Sequence, residues 1–260
     1  MGRPKAWLPW HGLPMVAHVV DVMREVTDDV VVVTSEAVEV PEVAARVVRD
    51  EQPGLGPLAG LAAGFAHARG ALCFATSTDA PFLTAAFARA VLAVGSAAAP
   101  VAEGHVQTLA AAYPREAALR EARALLADGR RRPLDLLERL DYRPLAAESL
   151  PDPRALEDFN TPGEYLAAVA DAAAGGASAP VTLEFLGEAR SLAGRNALEV
   201  PAGLLGEVLA HRSAPAGLLE DGQLAPRFLV SLGGRDFVRD LGVPIGPGER
   251  VVVLDAAAGG

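Results

Sequence analysis

Four consecutive valines, Val30 to Val33, restrict the fold of this chain more than any other feature. A strand without a polar position has no face for water, so helices must cover both sides of its sheet. Further apolar runs alternate with segments of helical periodicity, the runs at 47–48 and 72–76 and the helical segments at 15–26, 58–68 and 84–94. This alternation predicts a doubly wound α/β fold with a mostly parallel sheet.

The rhythm changes after residue 94. Two strands, 100–102 and 109–113, flank a turn at Glu103-Gly104-His105, and helices are predicted at 116–127, 133–140 and 162–173. Residues 174–180 hold neither a bulky apolar side chain nor a charge, which is typical of a linker. We therefore expect a first domain over 1–173 and a second over 181–260.

The second domain begins with an alternating strand at 181–185 and a helix at 187–192. Strands at 227–231 and 250–254 follow, with a turn at Gly233-Gly234. The pattern predicts a small α+β unit with a mixed sheet.

Composition excludes several classes of protein. With 51% hydrophobic and 22% charged residues the chain is an ordinary globular protein, and its net charge of −10 argues against binding to nucleic acid, which needs a concentrated basic face. No apolar run approaches the roughly 20 residues of a membrane span, so we expect a cytoplasmic protein without a membrane partner. The lone Cys73 is interpreted as a small buried hydrophobe.

Lys5 is the only lysine of the chain. Lysine supplies a compact, mobile point charge that suits a triphosphate, whereas arginine imposes a planar fork. The alternative is that one lysine near a terminus is accidental.

Two further segments have both a binding and a structural interpretation. Residues 50–60 contain Gly54, Gly56 and Pro57 between a strand and a helix, so the first turn of that helix either binds an anion or is a simple glycine and proline turn. Asp79 follows the strand at 72–76 and is predicted either to bind magnesium with substrate phosphates or to cap the helix after Phe82.

Asn160 precedes a predicted capping box. Thr161 and Glu164 have the spacing of that motif, with Pro162 at the first helical position. A structural role is sufficient, although the Asn160 amide could also face a metal or a phosphate.

Together these motifs resemble the molybdenum cofactor guanylyltransferases. The resemblance is carried, in order, by Arg3-Pro-Lys5-Ala-Trp-Leu-Pro-Trp-His-Gly12, Asp50 with Gly56-Pro57-Leu-Ala-Gly60, Asp79-Ala-Pro81 and Asn160-Thr-Pro162. It spans residues 1 to about 173. It implies a nucleotidyltransferase that moves GMP from GTP to the phosphate of molybdopterin and releases pyrophosphate.

The resemblance also implies roles for particular residues. Lys5 would contact the triphosphate, Asp50 the nucleotide, and Asp79 the nucleotide and its Mg²⁺ ion, with Asn160 as a second candidate metal ligand. Thr34 lies where such enzymes often place an asparagine near the nucleotide. His105 and Gln107 fall in a segment that carries acceptor-side residues in the family.

One departure concerns the amino terminus. The family begins with a strand and a Leu-Ala-Gly-Gly loop that wraps the nucleotide, and this sequence begins after them. We therefore expect a missing central strand, a chain that is inactive or poorly folded as given, and a native start upstream of Met1.

The chain ends in Gly259-Gly260. Two glycines without Cβ atoms can thread a narrow channel and present a carboxylate to another enzyme, whereas the alternative is a frayed end. With the strand order of residues 181–260, this tail resembles the β-grasp, ubiquitin-like sulfur carriers of molybdopterin and thiamine synthesis. The resemblance implies a Gly260 thiocarboxylate, formed by an adenylating and sulfurtransferase enzyme and delivered to the large subunit of molybdopterin synthase.

Two alternatives remain open at the level of sequence. A catalytically inactive first domain could merely tether the carrier, which magnesium-dependent binding of GTP would test. A transferase could also use CTP or a sugar phosphate. The scattered histidines have no zinc spacing, so no transition-metal site is predicted.

Overall fold

The computed structural model describes residues 2, 4–35, 38–50, 54–172 and 179–256. They form two compact units. The large unit is Pro14–Asp158, and the small unit combines Met1–Leu13 with Phe159–Gly260. Residues 1–13 and 159–172, expected in the first domain, thus cluster with the second, and residues 174–178 of the expected linker lie outside the described residues.

Contacts within the small unit explain this grouping. The Tyr165 hydroxyl donates to the Pro9 carbonyl at 2.7 Å, and the Arg235 guanidinium lies 4.6 Å from the centre of the Trp7 ring. Tyr165 is fully buried. The two distant segments are therefore part of one core.

The elements are numbered along the chain. The helices are α1 (Met15–Arg24), α2 (Pro57–His67), α3 (Ala85–Leu92), α4 (Arg115–Ala127), α5 (Pro133–Arg139), α6 (Pro162–Ala172), α7 (Gly187–Ala193) and α8 (Leu205–Leu209), with 3-10 turns at Lys5–Trp7, Ala147–Ser149 and Pro153–Leu156. The strands are β1 (Pro9–Trp10), β2 (Leu13–Pro14), β3 (Val31–Thr34), β4 (Arg46–Arg49), β5 (Leu72–Thr76), β6 (Ala98–Ala102), β7 (His105–Val106), β8 (Ala110–Pro114), β9 (Arg143–Ala146), β10 (Val181–Phe185), β11 (Ala197–Val200), β12 (Gly203–Leu204), β13 (Leu219–Glu220), β14 (Gln223–Leu224), β15 (Phe228–Leu232), β16 (Asp236–Val238), β17 (Pro244–Ile245) and β18 (Arg250–Asp255).

The large unit contains two separate sheets. β3 and β4 pair in parallel, with Val31 opposite Arg46 and Thr34 opposite Arg49. The second sheet has the order β5-β8-β6-β7, with β9 paired to β6. In it only β6 and β9 run parallel. The expected mostly parallel sheet is therefore corrected to a mixed one.

The turn between β6 and β7 accounts for part of this difference. Glu103 and Gly104 both have positive φ, 49° and 77°, and reverse the chain without a helix. A direct turn yields antiparallel neighbours, whereas parallel neighbours need a longer crossover. The sequence predicted this turn correctly, but it did not predict that the turn makes β6 and β7 antiparallel.

Helices pack on both faces of the second sheet. One cluster joins α2, α4 and α5 around Leu58, Phe65, Tyr113, Leu125 and Leu136. The other joins α1 and α3 around residues that include Val19, Phe87 and Val91. The predicted doubly covered α/β arrangement is confirmed in this part of the chain.

The small unit has its own sheet, in the order β11-β10-β18-β15-β16. β10 and β18 run parallel at its centre, with Leu183 opposite Val251, and the other pairs are antiparallel. Phe185, Phe228 and Val253 are fully buried in a core that also includes α8. The predicted mixed sheet of this unit is confirmed. Within the described residues, no helix combines the length and apolar character needed to cross a membrane.

The last residue of β18 caps α7. Asp255 accepts from the Glu188 amide with its two carboxylate oxygens, at 2.9 and 3.1 Å. Gly187 has a φ of 57°, and a Cβ there would overlap the Asp255 carboxylate. Glycine at 187 thus serves both the backbone conformation and the cap.

Gly187→Ala and Gly194→Ala separate these two effects. Both glycines have positive φ, but nothing lies within 4 Å of a Cβ on Gly194. We expect each substitution to cost about 1 kcal/mol for the left-handed backbone, and Gly187→Ala to cost about 1 kcal/mol more through the disturbed cap. Both tryptophans lie in the small unit, so urea unfolding followed by tryptophan fluorescence measures the difference. Equal losses would exclude the cap.

Candidate functional site

Asp79 lies in the loop after β5, at the carboxyl end of that strand. The Ser77 hydroxyl donates to its carboxylate, and Asp79 is half-buried. The cap of α3 is Thr84, whose hydroxyl accepts from the Phe87 amide at 3.2 Å. The interpretation of Asp79 as a helix cap is therefore wrong, and its carboxylate is not required by that helix.

Residues distant in sequence hold this loop. His18 of α1 donates from Nε2 to the Pro81 carbonyl at 3.1 Å, and Thr84 donates to Asp152 at 3.0 Å. Sequence reasoning missed His18 because no local pattern links it to a residue 63 positions away. The contact fixes the loop that carries Asp79 against α1.

Thr34 and Asp50 lie together at the carboxyl ends of β3 and β4. The Asp50 amide donates to the Thr34 carbonyl at 2.8 Å. The Thr34 hydroxyl lies 3.3 Å from the Val38 carbonyl, to which it donates. Ligands of open α/β sheets bind at this end of the strands.

The loop before α2 has the backbone conformation that both an anion site and a simple glycine and proline turn require. Gly54 and Gly56 have φ of 87° and 82°, and Pro57 begins the helix. Among the described residues no side chain caps the N-terminus of α2, and the Ala59 amide donates to the Gly56 carbonyl at 3.1 Å. Residues 51–53 of this loop lie outside the described residues.

An arginine run adjoins the same loop. The Arg131 carbonyl is 3.9 Å from the position of a Cβ on Gly56, while Arg130 and Arg132 donate to the buried Asp135, each at 3.0 Å. Sequence analysis overlooked this run. Three consecutive arginines in a chain of net charge −10 were the available signal.

Lys5 and Asn160 meet in the small unit. Lys5 Nζ donates to Asn160 Oδ1 at 3.0 Å and lies 5.7 Å from the centre of the Phe159 ring. The predicted capping box is present, because Glu164 accepts from the Thr161 amide at 3.0 Å and donates its own amide to Thr161 Oγ1 at 3.2 Å. The Asn160 side chain is thus not needed to cap α6.

The predicted site residues therefore fall into two groups. Lys5 and Asn160 belong to the small unit, whereas Thr34, Asp50 and Asp79 belong to the large unit. Gly259 and Gly260 lie outside the described residues. The described residues contain no group of three or more His, Cys, Asp or Glu side chains placed to hold a metal ion.

Two other predictions concern single side chains. The exposed His105 lies in β7, and the backbone amide of Gln107 donates to the Pro100 carbonyl at 2.8 Å, so this segment is a tight hairpin.

Burial raises the pKa of the Cys73 thiol to about 11. The thiol is therefore protonated at neutral pH, but Cys73 is half-buried and not fully buried as predicted.

A cavity of about 410 Å³ lies between β3 and β5. It is called the slot below. α1 contributes Val16 and Val20 to its lining, and α2 contributes Leu61 and Phe65. Few voids in protein interiors are larger than one water molecule, and the slot is much larger than that.

An α/β domain with an acidic loop and a glycine loop at its strand ends has the arrangement of a nucleotide-binding domain. Residues 1–142 match the family model of the MobA-like NTP transferase domain, and the chain belongs to this family.

Named relatives give further detail. A molybdenum cofactor guanylyltransferase of Pseudomonas entomophila is 32% identical over 167 residues, which are 62% of this chain and 86% of that protein. One of Pseudomonas aeruginosa is 38% identical over 93 residues, 35% of this chain, and the matched region spans 47% of that protein. Molybdopterin-guanine dinucleotide biosynthesis protein A of Archaeoglobus fulgidus shares the fold, at 20% identity and a TM-score of 0.56 over 66% of this chain and 92% of that one.

Glu164 predicts a pH dependence for α6. The amides of Asn160, at 2.7 Å, and Thr161 hold the pKa of this carboxyl below its usual range. A lowered folded pKa means that the carboxylate stabilises the helix above the usual glutamate pKa of about 4.3, and that this contribution declines as the pH falls through the folded value.

Glu164→Gln keeps an acceptor but removes the charge. We expect it to lower the thermal midpoint at neutral pH, and the difference from wild type to shrink to zero in acid. Thermal unfolding across an acid pH series measures this, with the exposed Glu148→Gln as control. A difference that persists unchanged at the lowest pH would contradict the assignment.

Proposed function

We propose that the chain transfers GMP from GTP to the phosphate of molybdopterin in molybdenum cofactor biosynthesis. The observation that carries this proposal is the 32% identity across 86% of the Pseudomonas entomophila guanylyltransferase. The reaction joins the α-phosphorus of GTP to a phosphate oxygen of molybdopterin and releases pyrophosphate.

Asp79 is the proposed ligand of Mg²⁺. Magnesium in nucleotide sites commonly takes one or two carboxylates and completes its shell with phosphate oxygens and water, so a single carboxylate fits. Asp79 is suited to this role because Thr84 caps α3 in its place and Ser77 fixes one of its oxygens. When bound, Mg²⁺ would neutralise charge on the phosphates; Asn160 Oδ1 is the second candidate oxygen ligand.

Backbone groups and basic side chains would hold the rest of the nucleotide. The uncapped first turn of α2 offers amide donors and a positive helix end to phosphate oxygens. Arg131, beside Gly56, adds a candidate cation. Thr34 and Asp50, joined by the 2.8 Å hydrogen bond, would contact the nucleoside.

Lys5 is proposed to offset the negative charge of the triphosphate. Its ammonium group donates to Asn160 Oδ1 at 3.0 Å, and its positive charge also acts on the Glu164 carboxylate. Catalysis of such a transfer rests on positioning and charge compensation rather than on a covalent intermediate.

For the small unit we propose sulfur carriage through a thiocarboxylate at Gly260. The strand order β11-β10-β18-β15-β16, with a parallel central pair, supports a β-grasp arrangement. An adenylating enzyme would activate the Gly260 carboxylate with ATP and release pyrophosphate. The persulfide of a sulfurtransferase would then displace AMP to form an acyl disulfide, and a thiol would reduce this disulfide to leave the thiocarboxylate. The large subunit of molybdopterin synthase is the proposed acceptor.

A second candidate function is that of an inactive tether for the carrier. The slot favours it, because strands that carry Thr34 and Asp79 on its two sides are not joined to each other in the described residues. Calorimetry of GTP with and without Mg²⁺ distinguishes the two functions. Magnesium-dependent binding supports the transferase, and its absence supports the tether.

Asp79→Asn should lower GMP transfer by at least about 100-fold, since it removes the charge that faces the cation but keeps the shape of the side chain. The thermal midpoint should stay within error because Asp79 caps no helix. A radiolabelled transfer assay with molybdopterin measures the effect, with Asp21→Asn on α1 as control. Transfer at the wild-type rate in Asp79→Asn would refute the role of Asp79.

Deletion of Gly260 should abolish thiocarboxylate formation and leave GMP transfer unchanged. The reason is that a shortened tail no longer brings its carboxylate to the adenylating site, while the transferase residues are untouched. Intact mass spectrometry after incubation with the adenylating enzyme, ATP and a sulfur donor detects the product. A chain without Gly260 that still gains sulfur would contradict the carrier assignment.

A further inference from the structure

A turn at residues 152–154 packs against the segment that follows Asp79, and it is called the 152–154 turn below. Asp152 accepts a hydrogen bond from the Thr84 hydroxyl at 3.0 Å. The guanidinium carbon of Arg154 lies 4.3 Å from the centre of the Phe82 ring. Two contacts of different chemistry, a hydrogen bond and a cation–π contact, therefore join this turn to the loop that carries Asp79.

The core of the large unit anchors the turn. Ala155 follows it directly, is 5% exposed, and belongs to the same hydrophobic cluster as Leu83 and Phe87. The Ala155 amide donates to the Asp152 carbonyl at 2.8 Å. The position of the turn is therefore fixed by buried packing and by a backbone hydrogen bond, although the side chains of Asp152 and Arg154 are exposed.

The Thr84 hydroxyl links the turn to helix α3. A hydroxyl has one proton to donate and keeps its lone pairs to accept. Because Thr84 donates its proton to Asp152, a lone pair is left for the Phe87 amide at 3.2 Å. Asp152 thus orients the group that caps α3, and this cap fixes the point at which the loop from Asp79 enters the helix.

The backbone restricts which residue types can serve at position 152. Asp152 has a φ of 51° and a ψ of 68°, in the left-handed region. Aspartate and asparagine adopt this conformation more readily than other residues with a Cβ atom. Position 152 therefore needs both a side-chain acceptor and tolerance of a left-handed backbone, and asparagine meets both needs whereas alanine meets neither.

The same loop is held from a second direction by α1. His18 Nε2 lies 3.1 Å from the Pro81 carbonyl, and the Ser77 hydroxyl donates to the Asp79 carboxylate. The half-buried Asp79 is therefore part of a loop, residues 77–84, that contacts α1 on one side and the 152–154 turn on the other. Such support from distant segments restricts where a carboxylate can lie.

We propose that Asp152 and Arg154 are positioning residues, which hold the loop of residues 77–84 so that Asp79 is in place for a divalent cation. The inference rests on the proposed role of Asp79 as a ligand of Mg²⁺. Neither Asp152 nor Arg154 touches the cation. Magnesium requires near-ideal octahedral geometry, so a ligand on a loosened loop binds it more weakly.

Two pairs of variants of the full chain test the proposal. Asp152→Ala removes the acceptor and disfavours the left-handed backbone, whereas Asp152→Asn keeps both. Arg154→Ala removes the cation from the Phe82 ring, whereas Arg154→Lys keeps one. We expect each alanine variant to need about fivefold more Mg²⁺ for half-maximal GTP binding in calorimetry, and the asparagine and lysine variants to resemble wild type.

Amide hydrogen exchange in the absence of metal gives a second readout, which does not depend on binding. The Leu83 and Phe87 amides donate to the Ala80 carbonyl and to Thr84 Oγ1, so their exchange reports the order of the loop and of the cap. We expect faster exchange at both in the alanine variants, and no change in the control Arg123→Ala on the exposed side of α4. The amides of β8 are the reference for global destabilisation.

Unchanged exchange at Leu83 and Phe87 in both alanine variants would overturn the proposal. Faster exchange with an unchanged Mg²⁺ requirement would overturn the positioning role, as would equal losses in the alanine variants and their conservative counterparts. A wild-type chain that binds GTP equally well with and without Mg²⁺ would instead overturn the proposed role of Asp79. The exchange rates would then still decide whether the 152–154 turn holds the loop.

Discussion

Backbone hydrogen bonding of buried strands is the constraint on which the large unit depends. β3 is hydrogen-bonded to β4 along one edge, and β5 is hydrogen-bonded to β8 along one edge. The other edge of each strand borders the slot. The predicted site residues lie on both sides of this division, with Thr34 and Asp50 beyond β3 and β4 and Asp79 beyond β5. The distance between Thr34 and Asp50 on one side and Asp79 on the other therefore depends on how the two sheets are arranged.

The small unit satisfies the same constraint on its own. Its central strands β10 and β18 each have two partners, and Asp255 at the end of β18 caps α7. A core of fully buried residues such as Phe185 and Phe228 closes it. The small unit thus has a sheet and a hydrophobic core of its own.

Local features of the fold could be predicted from sequence, and pairings could not. The bounds of β5 and β10 follow from short apolar or alternating runs between polar breaks, and the Thr161–Glu164 capping box follows from its spacing. The cap of α3 was missed because Asp79 and Thr84 are both good caps, and only geometry selects between them. The direction of β8, the contact of His18 with Pro81 and the grouping of Tyr165 with Pro9 all join residues far apart, and periodicity contains no information on such pairs.

The central claim is that the facing edges of β3 and β5 have no strand partner within the described part of the chain. Residue-resolved amide hydrogen exchange tests it directly. The account predicts that the amides of β3 and β5 that point into the slot exchange far faster than those of β8 and β15. Slot-facing amides protected as strongly as those of β15 would contradict it.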